Sequence, residues 1–432
     1  MKALFKIPIL FSILFLTMTG SVQAITCKII GQIIGRDSKS LLLFRATEDP
    51  DRVTKTIIPV NNGKFEYTLN APFIEAYFLM FQDESEIGTY RYIYFFSEPG
   101  TTVFKLHSLE ECNQDEIIGG KLTSEYYSFI KMNSDTYQPQ KMRIRDSIAE
   151  LKKRDGYFSI EFIMQQAKLN EAMSRTEAEN SNERDLETAV SQTQVVQNMI
   201  NTGDYVTQKG KALNDKMDSI IVLENRHRLD YIKNNPTLVS YYFLIEYAKA
   251  IEDCQGITIN DIKSILPMFT VNYPGHPYTN LIAVMVESLS QIKIGGAFYD
   301  FTAPDLNGKL YKVSEIIEGK YAVIDLWASW CGPCINGSRN FLPIYEEFKD
   351  KGFTICGVAR EYKNTDALRQ RIHKEKFPWV NLVELDDKNQ IWLHYCVQGG
   401  GRKFLVDNKG VIIAIEPSPE EIREILNEKL NQ

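Results

Sequence analysis

The run from Ala322 to Leu326 is apolar but for Asp325, and Trp327-Ala328-Ser329-Trp330-Cys331-Gly332-Pro333-Cys334 follows at once. A short, nearly continuous apolar run reads as a buried strand. Proline is tolerated in a first helical turn, where its missing N–H would have no partner anyway. The segment therefore specifies a buried strand feeding a helix with two cysteines at its start, expected to run from about Cys331 to Lys349. Around it, Phe353 to Val358 reads as a second buried strand and Asp366 to Glu375 as a helix. Asp305-Leu306-Asn307-Gly308 reads as a hairpin turn. Phe404 to Val406 and Val411 to Ile415 flank the turn Asp407-Asn408-Lys409-Gly410, and Pro419 to Leu430 reads as a closing helix. From Ile294-Gly295-Gly296 onward the pattern is that of an α/β fold.

Two cysteines separated by two residues can close a ring through sulfur and so exchange an electron pair as disulfide and dithiol. A thiol in a first helical turn faces unpaired amides and the positive end of the helix dipole, which favours the thiolate, the nucleophilic form. Cys331 is placed to attack, and Cys334, one turn on and more buried, to resolve the mixed disulfide. Gly332 and Pro333 permit close approach, and Trp327 and Trp330 are expected to shield the sulfurs beside an apolar docking surface. Asp325 lies on a strand that otherwise reads as buried. Burial raises a carboxyl pKa, so Asp325 could take the proton from Cys334; the alternative is an acid at a strand end satisfied by backbone. Structural zinc normally needs four ligands. There is no second such pair, and His373 and His394 are not spaced as a local set, so no metal is expected. A static disulfide is a further alternative, which the two-residue separation at a helix start disfavours.

At 432 residues the chain is too long for one ordinary core. A net charge of -7 gives nucleic-acid binding no global electrostatic support. Lys2 and Lys6 precede the apolar stretch Ile7 to Met18, too short to span a bilayer, and Val22-Gln23-Ala24 suits a cleavage point. Residues 1–24 thus read as an export signal rather than an uncleaved anchor. No other stretch is long and apolar enough to cross a membrane. Thr26 is a poor residue before a lipidated Cys27. Export would bring the seven cysteines, Cys27, Cys112, Cys254, Cys331, Cys334, Cys356 and Cys396, into an oxidising compartment. Cys27 and Cys112 either staple the first domain or stay free, which spacing alone leaves open. Cys356 reads as a buried strand thiol; Cys396 is undetermined.

Residues 25–122 read as short strands at turn-separated intervals, from Cys27 to Ile34 through Thr102 to Leu106, suggesting an antiparallel β-sandwich. His107 reads as a lone surface histidine. Residues 123–293 read as helical: Thr123 or Ser124 caps the first helix, and Thr237 to Ile251, Ile257 to Phe269 and Tyr278 to Ile292 carry apolar faces. The polar stretch Gln165 to Asn198 reads as one solvated long helix, with a mobile segment as the alternative.

Asp325 to Cys334 resembles the active-site segment of thioredoxin. With Ala303-Pro304-Asp305 before Gly308, Tyr395-Cys396-Val397-Gln398-Gly399, and Phe404-Leu405-Val406-Asp407, residues 294–432 resemble the exported thioredoxin-like family of TlpA and ResA type. The first domain, through Asn62-Gly63-Lys64-Phe65, resembles a β-rich domain of unknown function that precedes such thioredoxins in envelope proteins. The resemblance implies Cys331 as attacking thiol, Cys334 as resolving thiol and Asp325 as buried acid. It also implies docking along the loop that faces the sulfurs. There this chain departs from the pattern, with Gly401 where the family has a cis-proline. A cis bond before glycine costs about 3 kcal/mol, so a trans bond and a looser loop are expected. Arg402 is expected near the pair, supporting the Cys331 thiolate. Gly337 stands where ResA-type enzymes of cytochrome c maturation carry glutamate, which argues against that pathway. Ala328 stands where peroxiredoxins carry threonine, which discounts peroxidase chemistry.

The resulting expectation is a multidomain protein: an N-terminal antiparallel β-sandwich, a central α-helical region and a C-terminal α/β thioredoxin fold. It would exchange disulfides in the cell envelope through Cys331, Cys334 and Asp325, with substrate docking at Trp330, Gly332, Pro333, Gly400, Gly401 and Arg402. Electrons pass through the sulfurs, so no organic cofactor is implied. The partners would be protein thiols and disulfides and a redox protein supplying electrons. Gly-Pro between the cysteines is thioredoxin's own dipeptide, an analogy that favours reductase or isomerase action. The rival is an envelope binding or scaffold protein with the thioredoxin domain as accessory.

Overall fold

Alternation along strand β1 (Ile25–Ile33) buries Cys27, Ile29 and Ile33 on one face and leaves Thr26, Lys28 and Gln32 exposed, as a half-buried strand requires. In the computed structural model, which describes residues 24–50, 53, 55–176 and 182–430, this strand belongs to a sandwich. The expected export signal lies outside the described residues apart from Ala24. β1 is followed by β2 (Ser40–Arg45), β3 (Thr56–Pro59), β4 (Lys64–Ala71), β5 (Ala76–Phe81), a short α1 (Gln82–Glu86), β6 (Ile93–Phe96), β7 (Gly100–Leu106) and β8 (Glu116–Ile118). They form two four-stranded sheets, β4-β1-β7-β8 and β3-β2-β5-β6. Ile29, Leu41, Leu79, Phe81, Phe95 and Phe104 fill the core. Asn62 and Gly63, with φ of 51° and 70°, make the β3–β4 turn, a geometry glycine and asparagine tolerate.

The pairing is antiparallel except between β1 and β7, which run parallel with Cys27 opposite Gly100. Cys27 and Cys112 are both free thiols, one buried and one exposed, so no staple joins them. His107 is buried rather than on the surface, its Nδ1 3.4 Å from Asp115 Oδ1.

By internal contacts the chain divides into two units, one of Met1–Ala46 and Thr56–Thr123, the other of Thr47–Lys55 and Ser124–Gln432. The helical and α/β regions fall within the same unit. α2 (Lys121–Lys153) starts before the expected caps. The Glu98 carboxylate accepts the amide hydrogens of Leu122 and Thr123 at 3.0 and 3.2 Å, while Thr123 Oγ1 accepts from the Phe96 amide. The polar stretch forms two helices instead of one, α3 (Ile160–Thr176) and α4 (Glu183–Thr202). Asn182 and Asp185 box the start of α4, and Gln192 Nε2 donates to Gln165 Oε1 across the pair at 2.8 Å. α5 (Gln208–Asn234), α6 (Leu238–Lys249), α7 (Ile259–Asn272) and α8 (Pro277–Gln291) follow. α6 is buried on nearly every side, and Tyr241 stacks on Phe269 at 4.6 Å.

The α/β part comprises a hairpin of β9 (Thr302–Pro304) and β10 (Leu310–Lys312), α9 (Val313–Ile317), β11 (Tyr321–Trp327), α10 (Gly332–Asn340) and α11 (Leu342–Phe348). β12 (Phe353–Glu361), α12 (Asp366–Glu375), β13 (Val380–Leu385), α13 (Ile391–His394), β14 (Arg402–Val406), β15 (Ile412–Ile415) and α14 (Pro419–Leu430) complete it. The single helix expected from Cys331 to Lys349 is broken at Phe341, where Pro343 starts a second helix. The sheet order is β13-β12-β11-β14-β15, parallel from β11 to β13 and antiparallel at β14 and β15. β11 is covered on both faces, the physical reason for its nearly unbroken apolar run. Val323 and Trp327 join the core cluster that holds Cys334 and Ile335 of α10, whereas Ala322, Ile324 and Leu326 join the opposite one. The two-residue period puts Asp325 on the α10 face.

Candidate redox site

Cys331 is the residue at which α10 begins. Its Sγ accepts the Cys334 amide at 3.2 Å, standing where a capping oxygen would. The two cysteines form a disulfide with Cα atoms 5.3 Å apart. Cys331 is partly exposed and Cys334 is buried, the asymmetry that an attacking and a resolving thiol need. Gly332 and Pro333 lie exposed at the helix start, and Trp330 beside them is 52% exposed. Trp327 instead turns inward, packing edge-on against Phe377 at 5.7 Å, so it supports the site from the core.

Asp325 is 1% exposed. Its Oδ2 is 2.6 Å from Ser338 Oγ, which is also 3.0 Å from the Cys334 carbonyl oxygen. The acid is therefore held by a side chain one helical turn beyond Cys334, within the strand rather than at its end, and not by backbone. Oδ1 has no hydrogen-bond partner among the described residues. Burial pushes the Asp325 carboxyl up; Lys403 and the Ser338 hydroxyl oppose this, and Glu416 adds to it. Lys403 is Asp325's cross-strand neighbour in the β11–β14 ladder, with Nζ 4.0 Å from Oδ1. Gly337 admits it, since a Cβ there would come within 2.8 Å of Lys403 Nζ.

The loop facing the sulfurs is built by glycines. A Cβ on Gly400 would fall 2.7 Å from Cys331 Sγ and 3.3 Å from Cys334 Sγ. On Gly401 it would fall 1.9 Å from the Leu326 carbonyl oxygen. Gly400 thus meets the disulfide and Gly401 meets β11. No peptide bond is cis among the described residues, in keeping with the trans bond expected before Gly401. Arg402 is not brought to the pair. It alternates with Lys403 along β14, and its Nη1 lies 3.1 Å from both carboxylate oxygens of Glu252. The cation on the active-site face is Lys403.

Four further residues shape the site: Ser338, Lys403, Ser329 and Glu361. Glu361, at the end of β12, accepts the Ser329 amide at 2.9 Å and the Ser329 hydroxyl at 2.8 Å. It anchors the segment entering Cys331, and burial pushes its carboxyl up. Ser338 was findable as the residue four after Cys334, on the same helix face. Lys403 and Glu361 depend on strand pairing. Of the remaining thiols, burial pushes Cys356 and Cys396 up to about 12, so neither is a ready nucleophile.

Residues 294–415 match the AhpC/TSA family, and residues 27–126 match a domain of unknown function, DUF4369. The thiol-disulfide oxidoreductase ResA of Bacillus thuringiensis is 29% identical over 145 residues, covering 33% of this chain and 79% of that protein. The thiol:disulfide interchange protein DsbE of Pseudomonas fluorescens is 29% identical over 119 residues, covering 28% and 64%. Among solved structures, the thioredoxin domain of a Bacteroides vulgatus thiol-disulfide oxidoreductase aligns with a TM-score of 0.30 and 29% identity, over 33% of this chain and 100% of that one. Downstream of its DUF4369 domain, the chain therefore carries an AhpC/TSA-family, thioredoxin-like domain homologous to the ResA and DsbE thiol-disulfide oxidoreductases.

Proposed function

We propose that the chain is a disulfide reductase or isomerase of the cell envelope, exported by a signal peptide over residues 1–24 and acting on protein substrates. The observation that carries this is the Cys331–Cys334 disulfide at the start of α10 with the buried acid Asp325 behind it. In the reduced enzyme the Cys331 thiolate attacks one sulfur of a substrate disulfide. A mixed disulfide forms and the first substrate thiolate leaves, taking up a proton from solvent. Asp325 accepts the Cys334 proton, and the Cys334 thiolate attacks Cys331 Sγ. The second substrate thiolate leaves, and the enzyme disulfide closes. Two electrons have passed from the enzyme dithiol to the substrate, and a partner dithiol must return them. Among the described residues no helix is long and apolar enough to cross a membrane.

The test is reduction of a peptide disulfide by the intact, reduced chain and by Cys331→Ser. Turnover that needs Cys331 supports the proposal; equal rates in both would sink it. The export step is checked separately by sequencing the N-terminus of the mature protein, expected to start after Ala24.

A further inference from the structure

A cavity of about 650 Å³ is bordered by the glycine loop that faces the sulfurs. One wall is the Ala248–Asp253 stretch at the end of α6, the floor includes Leu281, Met285 and Leu289 of α8, and the loop supplies Gly399, Gly401 and Arg402. Such a volume falls within the roughly 300–1,000 Å³ of sites that bury a small organic ligand, and so suits a few side chains of a polypeptide. The helical wall is tied to the loop: the Gln398 side chain donates to the Lys249 carbonyl, and Arg402 pairs with Glu252. The loop itself is thin. Gly400 touches the disulfide, while Gly399 and Gly401, its neighbours, face the cavity. The cavity therefore borders the same glycine loop that meets the sulfurs.

The lining is net acidic. Glu48, Asp49, Glu252, Asp253 and Glu416 oppose Lys249, Arg360 and Arg402, and each of those cations is matched by a carboxylate. Arg402 has Glu252 at 3.1 Å, Arg360 has Asp387 at 2.6 Å and Lys249 has Glu246 at 3.3 Å. Apolar contacts come from the α8 residues with Trp392 and Val397. Cys396, also in the lining, is held protonated by burial and does not compete for the disulfide.

We infer that this cavity docks a segment of the substrate polypeptide bearing apolar and cationic side chains beside its disulfide, so that the helical region supplies half of the substrate site. The inference rests on the disulfide-exchange reading. The test uses the full chain and three substrates: a disulfide peptide flanked by lysine and leucine, the same peptide with glutamate for lysine, and the small neutral hydroxyethyl disulfide. Wild type is expected to prefer the lysine peptide over the glutamate peptide about tenfold in kcat/KM, through KM, with the preference weakening as salt is raised. Asp253→Lys, at an exposed wall position, is expected to erase or reverse that preference. Leu281→Trp is expected to lower the ratio of kcat/KM for the lysine peptide to that for hydroxyethyl disulfide about tenfold. An unchanged peptide preference in Asp253→Lys, or none in wild type, overturns the cavity assignment even if Leu281→Trp fails to fold. If wild type reduces neither peptide nor hydroxyethyl disulfide through Cys331, the disulfide-exchange reading itself fails and this inference with it.

Discussion

Cys27 and Cys331 are the same side chain in two settings. Cys27 sits near the start of β1, fully buried, with Sγ 3.8 Å from Thr102 Oγ1, and burial pushes its thiol up. Cys331 stands at a helix start, partly exposed, with an amide directed at its sulfur. The two regions treat buried acids as differently. In the sandwich, Glu84 is matched by two guanidinium groups, Arg36 in direct contact and Arg91 at 3.3 Å. Behind the redox pair, Asp325 has a serine hydroxyl and one ammonium 4.0 Å away. A buried acid in contact with cations has its charge matched in place, whereas burial with one distant ammonium raises the Asp325 carboxyl, which fits the proton-accepting role proposed for it.

The comparison breaks most visibly at the cysteines. Cys331→Ser is expected to reduce peptide-disulfide turnover to the uncatalysed background, and Cys27→Ser to leave it unchanged. If Cys27→Ser also abolished turnover in folded protein, the contrast would be lost. At the acids, Asp325→Asn is expected to slow closure of the enzyme disulfide about a hundredfold at neutral pH, read by single-turnover kinetics. Glu84→Gln is expected to leave that rate alone but to cost about 3–5 kcal/mol in denaturant unfolding, because it breaks a buried pair from one side.

The acid also leaves a signature in stability. Asp325's carboxyl is held above its ordinary 3.8, so the folded state keeps a proton that the unfolded chain gives up. Its contribution is greatest below that value and falls as pH rises through the folded pKa, by about 1.4 kcal/mol per unit of separation. Asp325→Asn should flatten this part of the stability–pH curve and be the more stable protein at neutral pH. Lys403→Met removes the charge that pulls this pKa down. The acid limb of the closure rate should then move to higher pH, with a smaller change in the maximum rate. No movement of the limb would separate Lys403 from Asp325. The smallest effect belongs to Arg402→Ala, expected to leave the Cys331 pKa unchanged and to cost under about 1 kcal/mol, since its partner Glu252 is largely exposed.

Much of the α/β part was legible because its signals are local. Strand β11 carries its burial in its composition, and the limits of α12 and α14 coincide with those read from the residues. The misreadings fall where a distant partner decides. α2 begins early because Glu98, more than twenty residues back, caps it. β1 pairs in parallel with β7 because the sandwich closes that way, which no turn residue announces. The break between α10 and α11 is the exception, since its cue, Pro343, is local.

By itself the amino-acid order determined that Cys331 and Cys334 stand one turn apart at a helix start, where they can close a disulfide, because their spacing and their place there are properties of adjacent residues. It also determined that Asp325 is buried, since the residues around it leave that strand no wet face. Only the tertiary structure decided which cation faces that acid. Strand register and the two-residue alternation turn Lys403 toward α10 and send Arg402 to Glu252, seventy-three residues upstream of Asp325. It likewise decided that Gly400 meets the sulfurs and Gly401 meets β11, because a close approach is a relation between segments that no single segment encodes.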